Sequence, residues 1–138
     1  MTKYAKGANA ERELLQRLFA AGFSVARVAG SGVSSFNPPD LLAFSKSKKL
    51  GFECKAWDSS SLTIPAEQFE ALVAWCKNAD CTAVFAWKVS REGWFFLSPT
   101  AFHKTGKAYA VSHHEAQQKA IDFGVLIGEQ TQLLKKKF

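Results

Sequence analysis

The chain has 138 residues, enough for one compact domain and too few for two of ordinary size. Hydrophobic residues make up 47% and charged residues 22%, a globular composition able to bury a core; no apolar run approaches the ~20 residues of a membrane-spanning helix, and MTKYAKGANAERE holds no apolar stretch for a secretory signal. Eighteen Lys and Arg against twelve Asp and Glu leave a net charge of +6, a balance that points toward a polyanion, most often nucleic acid.

The first predicted element is a helix from Gly7 to Ala21. Leu14, Leu15, Leu18 and Phe19 recur at helical spacing, and Gly22 ends it. Phe23–Val28 alternates like a strand and leads into a loop rich in Gly, Ser and Pro from Ala29 to Pro39. Asp40–Phe44 (DLLAF) reads as a buried strand. A polar turn, Ser45–Lys49, joins it to a second strand, Leu50–Trp57, so 40–57 is expected to be a hairpin. Asp58–Thr63 is expected to be a polar loop. Pro65 then opens a helix to Asn78, with Phe69, Leu72, Val73 and Cys76 on one face. Thr82–Lys88 and Gly93–Leu97 are strands separated by a charged turn at Ser90–Glu92. Tyr109–Ser112 is compatible with a strand and His114–Ala120 with a short helix, but neither is assigned. The order α-β-β-β-α-β-β predicts one α/β domain over 1–138, with a central sheet flanked by helices.

The cysteines, Cys54, Cys76 and Cys81, are odd in number and lie in apolar segments. That favours reduced thiols in a cytosolic compartment over a disulfide framework, and their spacing completes no zinc site.

Carboxylates stand where they are expensive. At ~100° per residue, Glu11 falls within the stripe of Leu14, Leu15 and Leu18, whereas Glu13 falls opposite and toward water. Asp40 stands at the mouth of DLLAF. Within FECKA, alternation places Glu53 and Lys55 on one face and Phe52, Cys54 and Ala56 on the other. Each feature alone has an ordinary reading: an ion pair across a strand face, a turn aspartate, a solvated helix glutamate. Together they suggest converging carboxylates, which repel unless a cation neutralises them. Mg²⁺ suits such oxygen donors and keeps waters that leave room for phosphate. An adjacent lysine orients or deprotonates an attacking water.

Pro39-Asp40 followed by Glu53-Cys54-Lys55 resembles the motif of the PD-(D/E)XK nuclease superfamily. The segment Lys6–Leu15, then Gly22-Phe23, Ala26–Ser31 and Pro39–Ala43, is similar to archaeal-type Holliday junction resolvases (Hjc), from about Lys6 to Leu97. That resemblance implies a restriction-endonuclease-like mixed sheet flanked by helices. It implies a catalytic centre of Glu11, Asp40, Glu53 and Lys55, with Arg27 and Ser31 as further functional residues. Mg²⁺, for which Mn²⁺ can substitute, would be held by Asp40, Glu53 and the Cys54 carbonyl, with Glu11 as a further ligand. Cys54 departs from the β-branched residue common at its position, and the last forty residues carry no match.

The activity implied is symmetric, Mg²⁺-dependent cleavage of four-way junction DNA in recombination and repair, by a cytoplasmic, nucleoid-associated homodimer. Two-fold symmetry of the junction matches the two centres of a C₂ dimer. Arg27, Ser31, Lys6, Lys48 and Lys49 are the expected DNA contacts, with Lys3, Lys46 and the tail Lys135–Lys137 as further candidates; from sequence alone Arg27 reads equally as a strand-edge salt bridge. Gln68, early in the second helix, falls where the resemblance implies a functional glutamine in some relatives, and is weighed against the favoured reading of a surface residue near a helix start. The tryptophans read as core or dimer surface, and His103, His113 and His114 as surface or interface residues. The competing expectations are a related nuclease acting on duplex or flap DNA, an RNA-directed nuclease, and a non-catalytic junction-binding module.

Overall fold

The computed structural model describes residues 2–28 and 35–129. The first helix, α1, spans Lys3–Ala20. It begins four residues before the expected Gly7 because the Thr2 hydroxyl caps it, accepting the Ala5 N–H at 3.0 Å. Leu14 and Leu18 are fully buried, whereas Phe19, expected on the apolar stripe, is 67% exposed. Strands β1 (Ser24–Arg27), β2 (Leu41–Phe44) and β3 (Lys49–Ala56) follow, and β2 and β3 form the expected antiparallel hairpin.

The segment expected to be a loop up to Thr63 is corrected here: Ser61–Pro65 is a strand, β4, and helix α2 starts one residue after Pro65, at Ala66, and ends at Asn78. Burial alternates along β4, with Leu62 and Ile64 inward. Its pairing partner lies far along the chain, so no nearby turn announces it. Strands β5 (Thr82–Val89) and β6 (Gly93–Leu97) come next, then a 3₁₀ turn at Pro99–Ala101, β7 (His103–Thr105), β8 (Ala108–Ser112), α3 (His113–Lys119) and α4 (Phe123–Leu126). Ser112 and Glu115 form a reciprocal capping box that starts α3.

Among the described residues the strands form two sheets, not the one expected. The central five-stranded sheet runs β1-β2-β3-β5-β6, with β3 and β5 parallel and the other pairs antiparallel. The smaller sheet runs β4-β8-β7. A parallel pair needs a long crossover, and β4 with α2 supplies it.

Each face of the central sheet has its own core. On one side, Leu14 and Leu18 of α1 pack against Leu41, Leu50, Phe52, Val84 and Phe96. On the other, α2 and the small sheet cover Phe85, Trp87 and Leu97. Phe69 of α2 is stacked between Phe85 of β5 (ring centroids 4.7 Å) and Tyr109 of β8 (3.8 Å). That stack ties α2 to both sheets and fixes the helix face that adjoins the site described next.

Candidate active site

The site is built around β3. In its parallel register, Phe52 and Cys54 stand beside Val84 and Ala86 on the α1 face, while Glu53 and Lys55 stand beside Phe85 and Trp87 on the α2 face. The expected alternation is therefore realised. Lys55 Nζ lies 3.6 Å from Glu53 Oε2, with the two side chains 19% and 12% exposed. The Lys55 ammonium also lies 5.7 Å from the centre of the Trp57 ring.

Asp40 immediately precedes β2 and is fixed by backbone. Its N–H donates to the Phe52 carbonyl at 2.8 Å, its carbonyl accepts the Val28 N–H at 2.9 Å, and its Oδ2 accepts the Cys54 N–H at 2.9 Å. The N–H and carbonyl of one strand residue point to the same edge, so the Cys54 carbonyl lies on the edge that faces Asp40. The Cys54 thiol packs with the α1-side core, and burial keeps it protonated far above the ordinary thiol range. Only its backbone has ligand character.

Asp40 and Glu53 open together into a cleft of ≈ 290 Å³. Asn37 and Pro38 wall one side, and Pro65, Glu67, Gln68, Ala71 and Leu72 the other. Gln68, read mainly as a surface residue with a site role as the alternative, is thus a wall of the cleft. The i, i+3, i+4 spacing of Gln68, Ala71 and Leu72 was the available signal, but it becomes informative only once the α2 face is known. Asn37 adopts the left-handed conformation, with φ of 53°.

Burial pushes the Glu53 carboxyl up to about 8, and the charge of Asp40 adds to the rise; Lys55 opposes it, and a hydrogen bond shared with Asp40 favours the protonated form. A buried carboxyl raised by a neighbouring carboxylate marks a place that calls for positive charge. The oxygens of the pair, with the Cys54 carbonyl, are hard donors that fit a divalent cation.

Glu11 comes from the α1 face and does not line this cleft. Its Oε1 accepts a hydrogen bond from Arg27 Nε at 2.8 Å. Burial raises its carboxyl, the Arg27 hydrogen bond pulls it back, and the charge of Asp40 adds to the rise. Asp40 thus acts on both glutamates. Among the described residues, no three His, Cys, Asp or Glu side chains are grouped closely enough to share one ion.

Glu13 faces water as expected, half-exposed, and also accepts hydrogen bonds from Lys88 Nζ at 2.6 Å and Trp94 Nε1 at 2.8 Å, which clamps α1 to β5 and β6. Lys6 faces Asp58 at 3.5 Å, and Lys49 Nζ donates to the Ala79 carbonyl at 2.7 Å. Lys48 and Lys49 line a second, basic hollow with Lys46 and Asp80. Lys49 is four residues from Glu53 along β3, about 13 Å at strand rise. Ser31 and the Lys135–Lys137 tail lie outside the described residues.

Comparison with known proteins agrees with this geometry. The family model described as archaeal Holliday junction resolvase (Hjc) matches residues 2–134. The chain is 36% identical over 107 residues to the crossover junction endodeoxyribonuclease Hjc of Archaeoglobus fulgidus, covering 78% of this chain and 79% of that one. It is 36% identical over 132 residues to the protein of the same name from Methanocaldococcus jannaschii, covering 95% and 93%. The fold superposes on the solved structure of Archaeoglobus fulgidus Hjc, a Holliday junction resolvase from an archaeal hyperthermophile, with a TM-score of 0.82 at 28% identity, over 92% of this chain and 99% of that one. The mixed sheet with its flanking helices is the restriction-endonuclease-like fold expected. An acidic pair and a lysine on neighbouring strands of that fold, in a chain matched from residue 2 to residue 134, leave one assignment: the chain belongs to the archaeal Holliday junction resolvase (Hjc) family.

Proposed function

We propose that this chain is a structure-specific endodeoxyribonuclease that resolves four-way DNA junctions by metal-dependent hydrolysis of two phosphodiesters. The carrying observation is that Asp40 and Glu53 line one cleft, with Lys55 Nζ 3.6 Å from Glu53, in a chain of this family.

Asp40, Glu53 and the Cys54 carbonyl would hold Mg²⁺ or Mn²⁺, with Glu11 as a further ligand. Such an ion supplies Lewis-acid stabilisation of the phosphorane-like charge and a more acidic water. The rest falls to the chain's own groups. Lys55, on the same face as Glu53, orients the attacking water, and its charge stabilises the negative charge that develops as the water is deprotonated. In-line attack breaks the P–O3′ bond, leaving a 3′-hydroxyl and a 5′-phosphate. Gln68, across the cleft from Asp40 and Glu53, is placed to donate an amide hydrogen bond to a phosphate oxygen. Arg27 and Ser31 contact neighbouring phosphates.

The net charge of +6 favours any DNA backbone, and Lys6, Lys48 and Lys49 contribute to that grip. Selectivity for junctions rests on shape and on pairing two centres in a C₂ homodimer, since one centre cuts one strand. The reading takes 1–138 as one nuclease domain. Among the described residues, no helix is long and apolar enough to cross a membrane, and a cytoplasmic, nucleoid-associated site of action follows from the DNA substrate.

The test is a cleavage assay with Mg²⁺ on a mobile four-way junction, mapping nicks on all strands, with the component duplexes as controls. Paired nicks at symmetric positions near the crossover are expected. Equal cleavage of the duplexes moves the assignment to a general duplex nuclease. Failure to cut with either Mg²⁺ or Mn²⁺ removes the catalytic reading. Light scattering of the same preparation checks for the dimer.

A further inference from the structure

The proposed function needs Glu11 as a metal ligand and Arg27 as a phosphate contact, yet in the free protein each is engaged by the other. Arg27 Nε donates to Glu11 Oε1 at 2.8 Å. The side chains are 32% and 21% exposed, so the pair stays open to water, where an ion pair is weak enough to be exchanged. Glu11 does not line the cleft, and no three acidic, Cys or His groups converge among the described residues. We propose that Arg27 is a positioning residue: it holds Glu11 away from the Asp40–Glu53 pair until a DNA phosphate takes its guanidinium. This assignment rests on the proposed nuclease reading and deepens it.

The exchange conserves ionic contacts. Arg27 trades a carboxylate for a phosphodiester, and its planar fork carries five N–H donors that suit either anion. Glu11 trades a partner of charge +1 for a divalent cation held by Asp40 and Glu53. No charge is left without a partner at the end of the swap. The topology permits the swap. Arg27 is the last residue of β1, an edge strand of the central sheet, whereas Glu11 is mid-way along α1. The two groups belong to separate elements, so the backbone does not tie one to the other.

Linkage then makes the coupling reciprocal. DNA raises metal affinity, and metal raises DNA affinity by the same factor, typically about 5- to 150-fold for coupled sites. Without DNA the metal centre stays short of one carboxylate, so its hydrolytic chemistry awaits substrate.

The test reads metal binding without DNA or turnover. Mn²⁺ uptake is titrated by the loss of its free-ion resonance for the unmodified protein, Arg27→Gln, Glu11→Gln and the double variant. Arg27→Met serves as a second version of the release, and circular dichroism checks that each variant is folded. Removing Arg27 is expected to tighten Mn²⁺ binding by about tenfold. That gain is expected to vanish when Glu11 is already Gln. An equal gain in the Glu11→Gln background would mean that removing a nearby positive charge is the whole effect, and the positioning role would be overturned. Unchanged Mn²⁺ affinity in Arg27→Gln and Arg27→Met overturns it as well. If the unmodified protein cleaves junctions and takes up Mn²⁺ while this cycle is flat, the nuclease reading stands and only the positioning role falls. If no protein takes up Mn²⁺, the metal centre and the nuclease reading fall together.

Discussion

The Asp40 Oδ2 atom accepts the Cys54 N–H at 2.9 Å, so a side-chain carboxylate occupies a hydrogen-bonding position at the edge of β3 beyond the end of the β2 ladder. The backbone itself thereby aims one carboxyl at the next strand's Glu53. Asp40→Asn keeps an oxygen for the Cys54 N–H and loses the charge. Junction cleavage is expected to fall by at least ~100-fold, as for loss of a metal-site partner, with little change in melting temperature. A variant that stays folded and still cuts at the unmodified rate would remove Asp40 from the catalytic centre.

The Glu53 carboxyl, pushed up to about 8 from its ordinary 4.5, makes stability depend on pH. Between those two values the folded protein binds one proton more than the unfolded chain, so stability falls as pH rises. The contribution is fully present below about 4.5 and is lost as pH passes through about 8. Melting curves of the metal-free protein, taken in chelator from about pH 5 to about pH 9, should show that decline. Glu53→Gln should flatten it. Mg²⁺ displaces the same proton, so added metal should stabilise the protein more at the alkaline end.

Lys55 shares a strand face with Glu53 and lies 3.6 Å from it. Lys55→Met should lower cleavage by roughly 10²–10⁴-fold, the range for a lost acid–base group, while Mn²⁺ uptake persists. Because Lys55 holds the Glu53 carboxyl down, the alkaline limit of the pH-dependent decline should also move upward in this variant. Loss of Mn²⁺ uptake together with cleavage would show that the lysine serves the metal site and not the water.

Gly51 lies where β3 passes α2 and Pro39. A Cβ there would meet Cys76 Sγ at 2.8 Å and Pro39 Cγ at 3.1 Å. Gly51→Ala should therefore cost about 1–3 kcal/mol through overpacking. It should also weaken cleavage, because Pro39 adjoins Asp40. Differential scanning calorimetry beside the junction assay checks both effects; a neutral melting temperature would mean that the end of α2 yields freely.

Much of the site was readable from short-range pattern. Alternation along FECKA put Glu53 and Lys55 on one face, and helical phase separated Glu11 from Glu13. Both depend only on backbone geometry within a few residues, which side-chain identity reports directly. Glu13 is exposed as expected, but its hydrogen bonds to Lys88 and Trp94 come from strands more than seventy residues away and were not legible locally.

The hairpin of β2 and β3, the start of the resemblance at Lys6 and the acid-and-lysine motif needed no coordinates, since each is written in neighbouring residues. Chain folding alone resolved what spans long separations. It paired Leu62 with Val111 to create a second sheet, brought Gln68 to the wall of the cleft, and joined Glu11 to Arg27. Such contacts follow from strand register and from how helices seat on opposite faces of a sheet, and no local periodicity encodes them.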